Sequence, residues 1–247
     1  MTILRKMFSL KWALTTLLVF AGTAVCVRLG IWQFDRLDQR RTFNTQVETM
    51  RAREPLNLNA GVPADIASME WRAVTVTGEY DFENQVAMRN QYNDGIYGFH
   101  LITPLRFDGG VVLVNRGWIP AESDSLPDDW RVYDEEGTVT VTGQIRLGQG
   151  KPAFGGVADA LPMDGSRLNV WNNLDLEMMS TQFPYPILDV FVQPNREEGN
   201  VTPPIAYQPE IELTEGSHFG YALQWFTFAT ILFVGYPFYL RRQEINR

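Results

Sequence analysis

Six side chains near the two hydrophobic ends of the chain have the types and spacing to act together. In the first apolar region Arg28, Trp32 and Arg36 recur at i, i+4 and i+8, with Gln33 beside them. In the last one His218, Tyr221 and Trp225 recur at i, i+3 and i+7, with Gln224 off to one side. Each triplet falls on a single face of a helix. Together they suit a planar amphiphile with an apolar ring and acidic side groups: imidazole is a good axial ligand for haem iron, the aromatic rings offer an apolar wall, and Arg28 or Arg36 can pair with propionates. A plainer reading fits the same residues. Tyr, Trp and His are common where a helix leaves a bilayer, and Arg28 can snorkel to lipid phosphate.

Positioning these groups is the task of two membrane segments. From Phe219 to Leu240 there is no charged side chain, and at 1.5 Å per residue that run matches the roughly 30 Å hydrocarbon core of a bilayer. The earlier apolar run extends from Trp12 to Val27 and continues past Arg28 through LGIWQF to Phe34. It reads as a retained anchor rather than a cleaved signal, because the apolar pattern outlasts any cleavage point near Ala21 to Ala24. Asp35 to Arg53 lacks Gly and Pro and prolongs this helix until Glu54-Pro55 stops it.

Charge gives the expected orientation. The 247-residue chain carries a net charge of −8, and of its 29 acidic residues only Glu244 lies outside the stretch from Asp35 to Ser217. Arg5, Lys6 and Lys11 precede that stretch, and Arg241, Arg242 and Arg247 follow it. Both basic tips therefore read as cytoplasmic and the acidic middle as exported, on the outer side of a bacterial plasma membrane. No basic patch is available to neutralise phosphates, so no nucleic-acid partner is expected. Cys26 is the only cysteine and lies in the first apolar run, which rules out an internal disulfide. With two histidines and no CxxC or HExxH, a self-sufficient zinc or copper site is not expected either.

Between the spans the pattern changes to period two. WRAVTVTGEY from Trp71, QVAMRN, FHLITPLRF, VVLVNRGWIP after the Asp108-Gly109-Gly110 turn, and TVTVTGQIRL from Thr138 read as strands joined by short turns. A Gly-rich loop over 148–166 fails the phosphate-loop pattern, and RLNVWNNLDLEMMSTQF reads as a strand turning into a short helix capped near Asn173 or Asp175. ILDVFVQP is a last strand, followed by a Pro-stiffened linker. The fold class is thus a membrane protein with two transmembrane α-helices flanking an exported, mainly antiparallel, barrel-like β domain. Expected boundaries are 1–34 for the tip and first span, 35–56 for the helical extension, 57–213 for the β domain and 214–247 for the second span and tip.

Within the β domain Asn115, Arg116 and Trp118 form a candidate partner surface, although a structural corner with Gly117 left-handed explains them as well. Arg89-Asn90 and His100 read first as structural polar residues, and Trp71 and Trp171 as core anchors. There is no GxSxG, and neither histidine has an evident Ser and acid partner, so the chain is not expected to be an enzyme.

In order along the chain, Gly30, Trp32, Gln33 and Arg36; Trp71, Arg72, Val74 and Gly78; Arg89-Asn90; Gly98 with Thr103-Pro104-Leu105; Asn115-Arg116-Gly117-Trp118 with Pro120; Trp171-Asn172 with Asp175; and HFGYALQWF from His218 carry a resemblance. With these residues the chain resembles the surfeit-locus family of cytochrome c oxidase assembly factors. The acidic loop Glu122 to Asp129 and the Gly-rich loop depart from the pattern. The resemblance implies a factor that assists haem a delivery or insertion into subunit I, with His218 on the haem iron. It also implies subunit I and other oxidase subunits as partners, with haem a synthase upstream and membrane lipid around the spans. Two other functions remain open: a permanent, non-catalytic accessory subunit of a respiratory oxidase or supercomplex, and a membrane-anchored sensor with a ligand pocket in the barrel lined by Arg89 and Trp118.

Overall fold

A single long helix, α2, runs from Ala13 to Arg51, and a second, α4, from His218 to Ile245. The computed structural model describes residues 3–121, 127–150, 152 and 156–245, so parts of the acidic and Gly-rich loops and the outermost residues of both tips lie outside it. Both long helices contain a stretch long and apolar enough to cross a membrane, and only 17% of either stretch is buried within the protein. A core helix of a water-soluble protein would be covered on most of its surface; these are covered only along the seam where they meet. Helix α2 stops three residues before Glu54, whose helical backbone is barred by the ring of Pro55.

The chain forms two units: the N-terminal part through Gln46 together with the C-terminal part from Glu212 onward, and Val47–Ile211. In the first, α2 and α4 are antiparallel. Thr16 meets Tyr236 in a 2.6 Å hydrogen bond, Phe20 meets Phe233 edge-on, Gly30 receives Phe226, and Gln33 meets His218. Ascending positions on one helix thus meet descending positions on the other, so both chain ends lie at one end of the pair. There a short helix, α1 (Ile3–Met7), packs Met7 with Tyr236 and Leu240.

The second unit is an eight-stranded sheet: β1 (Leu56–Asn57), β2 (Ala73–Tyr80), β3 (Val86–Asn93), β4 (Ile96–Phe107), β5 (Gly110–Pro120), β6 (Thr138–Arg146), β7 (Val170–Trp171) and β8 (Phe191–Pro194). Their order is β1-β2-β6-β8-β5-β4-β3-β7, and an additional β2–β4 pairing, Glu79 with Arg106 and Tyr80 with Leu105, closes five of them into a ring. The long pairings are antiparallel, as the alternating pattern predicts; β1–β2, β3–β7 and β5–β8 are short parallel additions. Val74, Val76, Leu105, Val112, Val114, Val141, Ile145 and Val192 fill the ring. Strand β5 is buried on both faces: Val112 and Val114 face this core, while Leu113 faces a second layer with Trp171, Leu176 and Met179. Leu176 and Met179 come from a short helix, α3 (Leu176–Ser180), whose N-cap is Asp175, its carboxylate accepting from the Met178 amide at 3.0 Å. The matching Val-Thr-Val-Thr-Gly rhythms of β2 and β6 end at Gly78 and Gly143, where the backbones of Arg106 and Gln193 cross too closely for a Cβ.

Candidate functional site

Near the start of α4 the helix pair brings an imidazole to an amide. His218 Nδ1 lies 2.8 Å from Gln33 Oε1. An amide oxygen only accepts, so Nδ1 is the donor in this contact, and the neutral tautomer that makes it has its lone pair on Nε2. The Nε2 edge is next to Gly216, which has φ +66 and presents no side chain; a Cβ there would lie 3.7 Å from Nε2. The turn entering α4 is tied to α2 by Arg41, bidentate to the Glu215 carboxylate at 2.7 and 2.9 Å, and by Arg40, which donates to the carbonyls of Glu212 and Thr214. The hydrogen bond from Arg41 is the main reason that the exposed Glu215 carboxyl sits below the usual carboxylate range. Elsewhere along the seam of the two helices Phe34 stacks on Phe226 at 5.8 Å, and an ideal Cβ on Gly30 would come within 2.7 Å of the Phe226 ring. These contacts hold the two helices in register, with Phe226 about two turns along α4 from His218 and Gly30 about one turn along α2 from Gln33.

The other expected site residues are distributed around this centre. Tyr221 is exposed and Trp225 half-buried on the His218 side of α4, with Trp225 edge-on to Phe228 at 6.0 Å. On α2 the Arg36 guanidinium covers the Trp32 ring at 5.5 Å and donates to Gln39 at 2.9 Å, with both Arg36 and Trp32 exposed. Arg36 is three residues beyond Gln33, about 60° around the helix, whereas Arg28 is five residues before it, about 140° away. Arg28 is exposed and turned from the seam. The residue of α2 that meets His218 is therefore Gln33, which sequence reasoning placed beside the triplet without giving it a role. Its signal was present as an amide within an apolar helix, but which residue it faces depends on the register of two helices about 185 positions apart in the chain.

In the sheet domain Asn115, Arg116 and Trp118 are only 5%, 6% and 6% exposed. A partner surface needs accessible side chains; these three are spent inside the fold. Leu101 pairs with Gly117 and Ile102 with Asn115, so Arg116 is the extra residue of a β-bulge, with Gly117 at φ +119. A side chain on Gly117 would collide with the Ile205 carbonyl, whose strand-like bridge to Trp118 is made by two 2.8 Å hydrogen bonds. The bulge turns Arg116 inward between the rings of Tyr80 and Phe82, where it bonds Glu135 at 2.7 Å, Gln85 at 3.3 Å and the Tyr133 carbonyl. Burial pushes the Tyr80 hydroxyl up to about 12 despite this cation. Arg89-Asn90 forms the second bulge, between Met88 and Gln91, with Asn90 at φ +63. Trp171 is buried, and Asn172 with Asn173 donates four hydrogen bonds to the Asp159 carboxylate in the Gly-rich loop.

Two candidate spans around a mainly-β, barrel-like domain define the class: a membrane protein whose one described histidine in a span is paired to an amide on the other. The SURF1 family description matches residues 20–230. A SURF1-like protein of Monosiga brevicollis is 30% identical over 96% of this chain and 90% of its own length. A SURF1-like protein of Rickettsia felis is 25% identical over 92% and 97%, and Surfeit locus protein 1 of Homo sapiens 25% over 80% and 68%. The chain belongs to the SURF1 family.

Proposed function

We propose that this protein is an assembly factor for a haem-copper cytochrome c oxidase and that its cargo is haem a, received at the outer leaflet and passed to subunit I. The observation that carries this reading is the Gln33–His218 hydrogen bond. A metal-binding histidine is normally held by a hydrogen bond through its other ring nitrogen, which fixes the tautomer and raises the basicity of the ligating atom. Here that bond crosses between two spans, and the Nε2 edge faces a glycine. His218 would take the iron through Nε2, with Trp225 and Tyr221 along the same side of α4 as an apolar wall. Arg36, one turn towards the helix extension and stacked on Trp32, is better placed for a propionate than Arg28. Iron in haem supplies an open axial position for imidazole; the chain supplies orientation and an apolar surround.

In this account the two basic tips are cytoplasmic and the sheet domain is outside, where it docks on the oxidase. The test is the haem a content per oxidase in membranes of a bacterium lacking this gene. Depleted haem a, restored by the wild-type chain and not by His218→Ala, is the expected result. Full haem a in the deleted strain, with this chain co-purifying in fixed ratio with mature oxidase, would instead identify an accessory subunit.

A further inference from the structure

Strand β6 is hydrogen-bonded along one edge for most of its length and along the other edge only at its end. Towards β2 its odd-numbered residues supply the bonds: the Ile145 carbonyl accepts from the Trp71 amide at 2.8 Å and the Ile145 amide donates to the Arg72 carbonyl at 3.0 Å. The β2 pairing then runs without a break from Ala73–Gln144 to Glu79–Thr138. Main-chain groups alternate sides along a strand, so the even-numbered residues of β6 turn theirs to the opposite edge. There β8 pairs with Arg146 and Gln144, and the Asn195 amide donates to the Thr142 carbonyl at 3.1 Å as the last rung. Beyond that rung the N–H and C=O of Thr140 have no partner among the described residues.

This bare edge borders a groove of about 480 Å³, lined on one side by Val139 to Thr142 and elsewhere by Pro204 and Ala206. Ile205 directs both of its main-chain groups at Trp118, so the Pro204 carbonyl and the Ala206 N–H and C=O point away from β5, and they too lack a partner among the described residues. Open main-chain donors and acceptors are the complement of an extended peptide. An edge strand is normally guarded by Lys, Pro or a bulge; Thr138-Val139-Thr140-Val141-Thr142 has none of these, favours strand structure by composition, and exposes Thr140. The charged residues lining the groove are Arg116, Glu135 and Glu197. Arg116 and Glu135 are paired with each other, whereas exposed Glu197 has no ion pair among the described residues. Its neighbours Arg196 and Glu198 do not line the groove.

We propose that this groove docks an extended segment of another protein, which adds to the free edge of β6 as a strand, exchanges hydrogen bonds with Thr140 and places a Lys or Arg beside Glu197. A second copy of this chain is the poorer occupant: its own β6 edge lies within the same groove, faced by Pro204 and Ala206, and brings the same carboxylate. A flexible tail or loop enters where a folded edge does not. The groove lies within the sheet domain, apart from His218, and its test involves no haem.

The test titrates the full chain in detergent with fluorescein-Gly-Thr-Lys-Val-Thr-Val-Lys-Thr-amide and follows peptide anisotropy together with hydrogen exchange of the Thr140 amide. Saturable binding with slowed Thr140 exchange is the expected result, with the fully N-methylated peptide at least about tenfold weaker because it cannot donate to the strand edge. Glu197→Gln should weaken binding by about two- to fivefold, as for an exposed ion pair. Thr140→Pro removes the one N–H that faces the groove, keeps the β2 ladder, and should abolish binding. If Thr140→Pro does not fold, the two peptides on the wild-type chain decide alone. No saturable binding, equal binding of the N-methylated peptide, or binding that leaves Thr140 exchange unchanged overturns the proposal. Protection of Thr140 that grows with protein concentration in the absence of peptide assigns the edge to a second copy and overturns it as well.

Discussion

The two histidines of this chain are kept in different states by what touches their Nδ1 atoms: an amide oxygen at His218 and an amide nitrogen at His100. If His218 takes haem iron as proposed, Gln33→Leu should weaken haem binding by about ten- to hundredfold while leaving the chain folded, as measured by haem titration of the purified protein. At His100 the contact protonates Nε2 and burial excludes a second proton. The folded pKa of about 4 lies below the usual His value near 6.5, so the unfolded chain takes up the proton first as the solution is acidified. The corresponding stability is complete above pH 6.5 and falls by roughly 3 kcal/mol as pH drops through 4. Thermal midpoints of wild type should therefore decline across that window, and those of His100→Gln should stay flat until the carboxylates titrate. Asp81 belongs to that later phase: burial raises it, but hydrogen bonds from Tyr185, Asn84 and Arg106 outweigh burial and hold it below its usual value. His218 was legible in the sequence as a lone imidazole at the mouth of an apolar run. Its partner was not, because no periodicity within one helix states which residue of another it will meet.

Elements explain why some motifs were legible as positions but not as roles. Alternation in Trp71 to Tyr80 and Thr138 to Leu147 predicts strands, and β2 and β6 pair along that alternation from Ala73–Gln144 to Glu79–Thr138. Nothing local predicts that β2 also reaches β4, or that β5 pairs with β8 in parallel, since both depend on sheet twist and on chain far away. Asn115-Arg116-Gly117-Trp118 admits both a surface and a corner reading in one dimension, because charged residues are normally outside, and the left-handed Gly117 and buried Arg116 favour the corner; Arg89-Asn90 is likewise a structural pair, at a second bulge. A bulge adds one residue to a strand and turns its side chain to the other face, which is how Arg116 came to be buried. Gly117→Ala should cost at least about 1–3 kcal/mol through its left-handed backbone, and more through the Ile205 carbonyl, read as a lowered midpoint in tryptophan-monitored unfolding. In the helix pair Gly30→Val should destabilise by about 1–3 kcal/mol, because Phe226 fills the space that the new side chain needs. Phe226→Ala added to Gly30→Val should recover part of that loss, measured by detergent-induced separation of the helices. An additive loss in the double variant would show that the two residues do not meet.

Over the whole molecule, the antiparallel helices put both basic tips at one end of the pair, and in the proposed orientation that end is the cytoplasmic one. A reporter active only outside the cell, inserted after Gly199, should be active, and the same reporter at the C-terminus silent. The length of the apolar runs made the two spans around a β domain legible before any coordinates, because bilayer thickness acts on composition rather than on register. Placement of Arg28 opposite the seam was not legible, since both sides of a lipid-facing helix look alike until a neighbour is docked. The proposed role of this chain rests on His218, oriented by Gln33, binding haem a. Its most direct test is the absorption spectrum of the full chain purified from cells that make haem a, wild type beside His218→Ala. A haem a band in the wild type, reduced at least about tenfold per protein in the variant, is the predicted result. An equal band in both proteins, or none in the wild type, would contradict it.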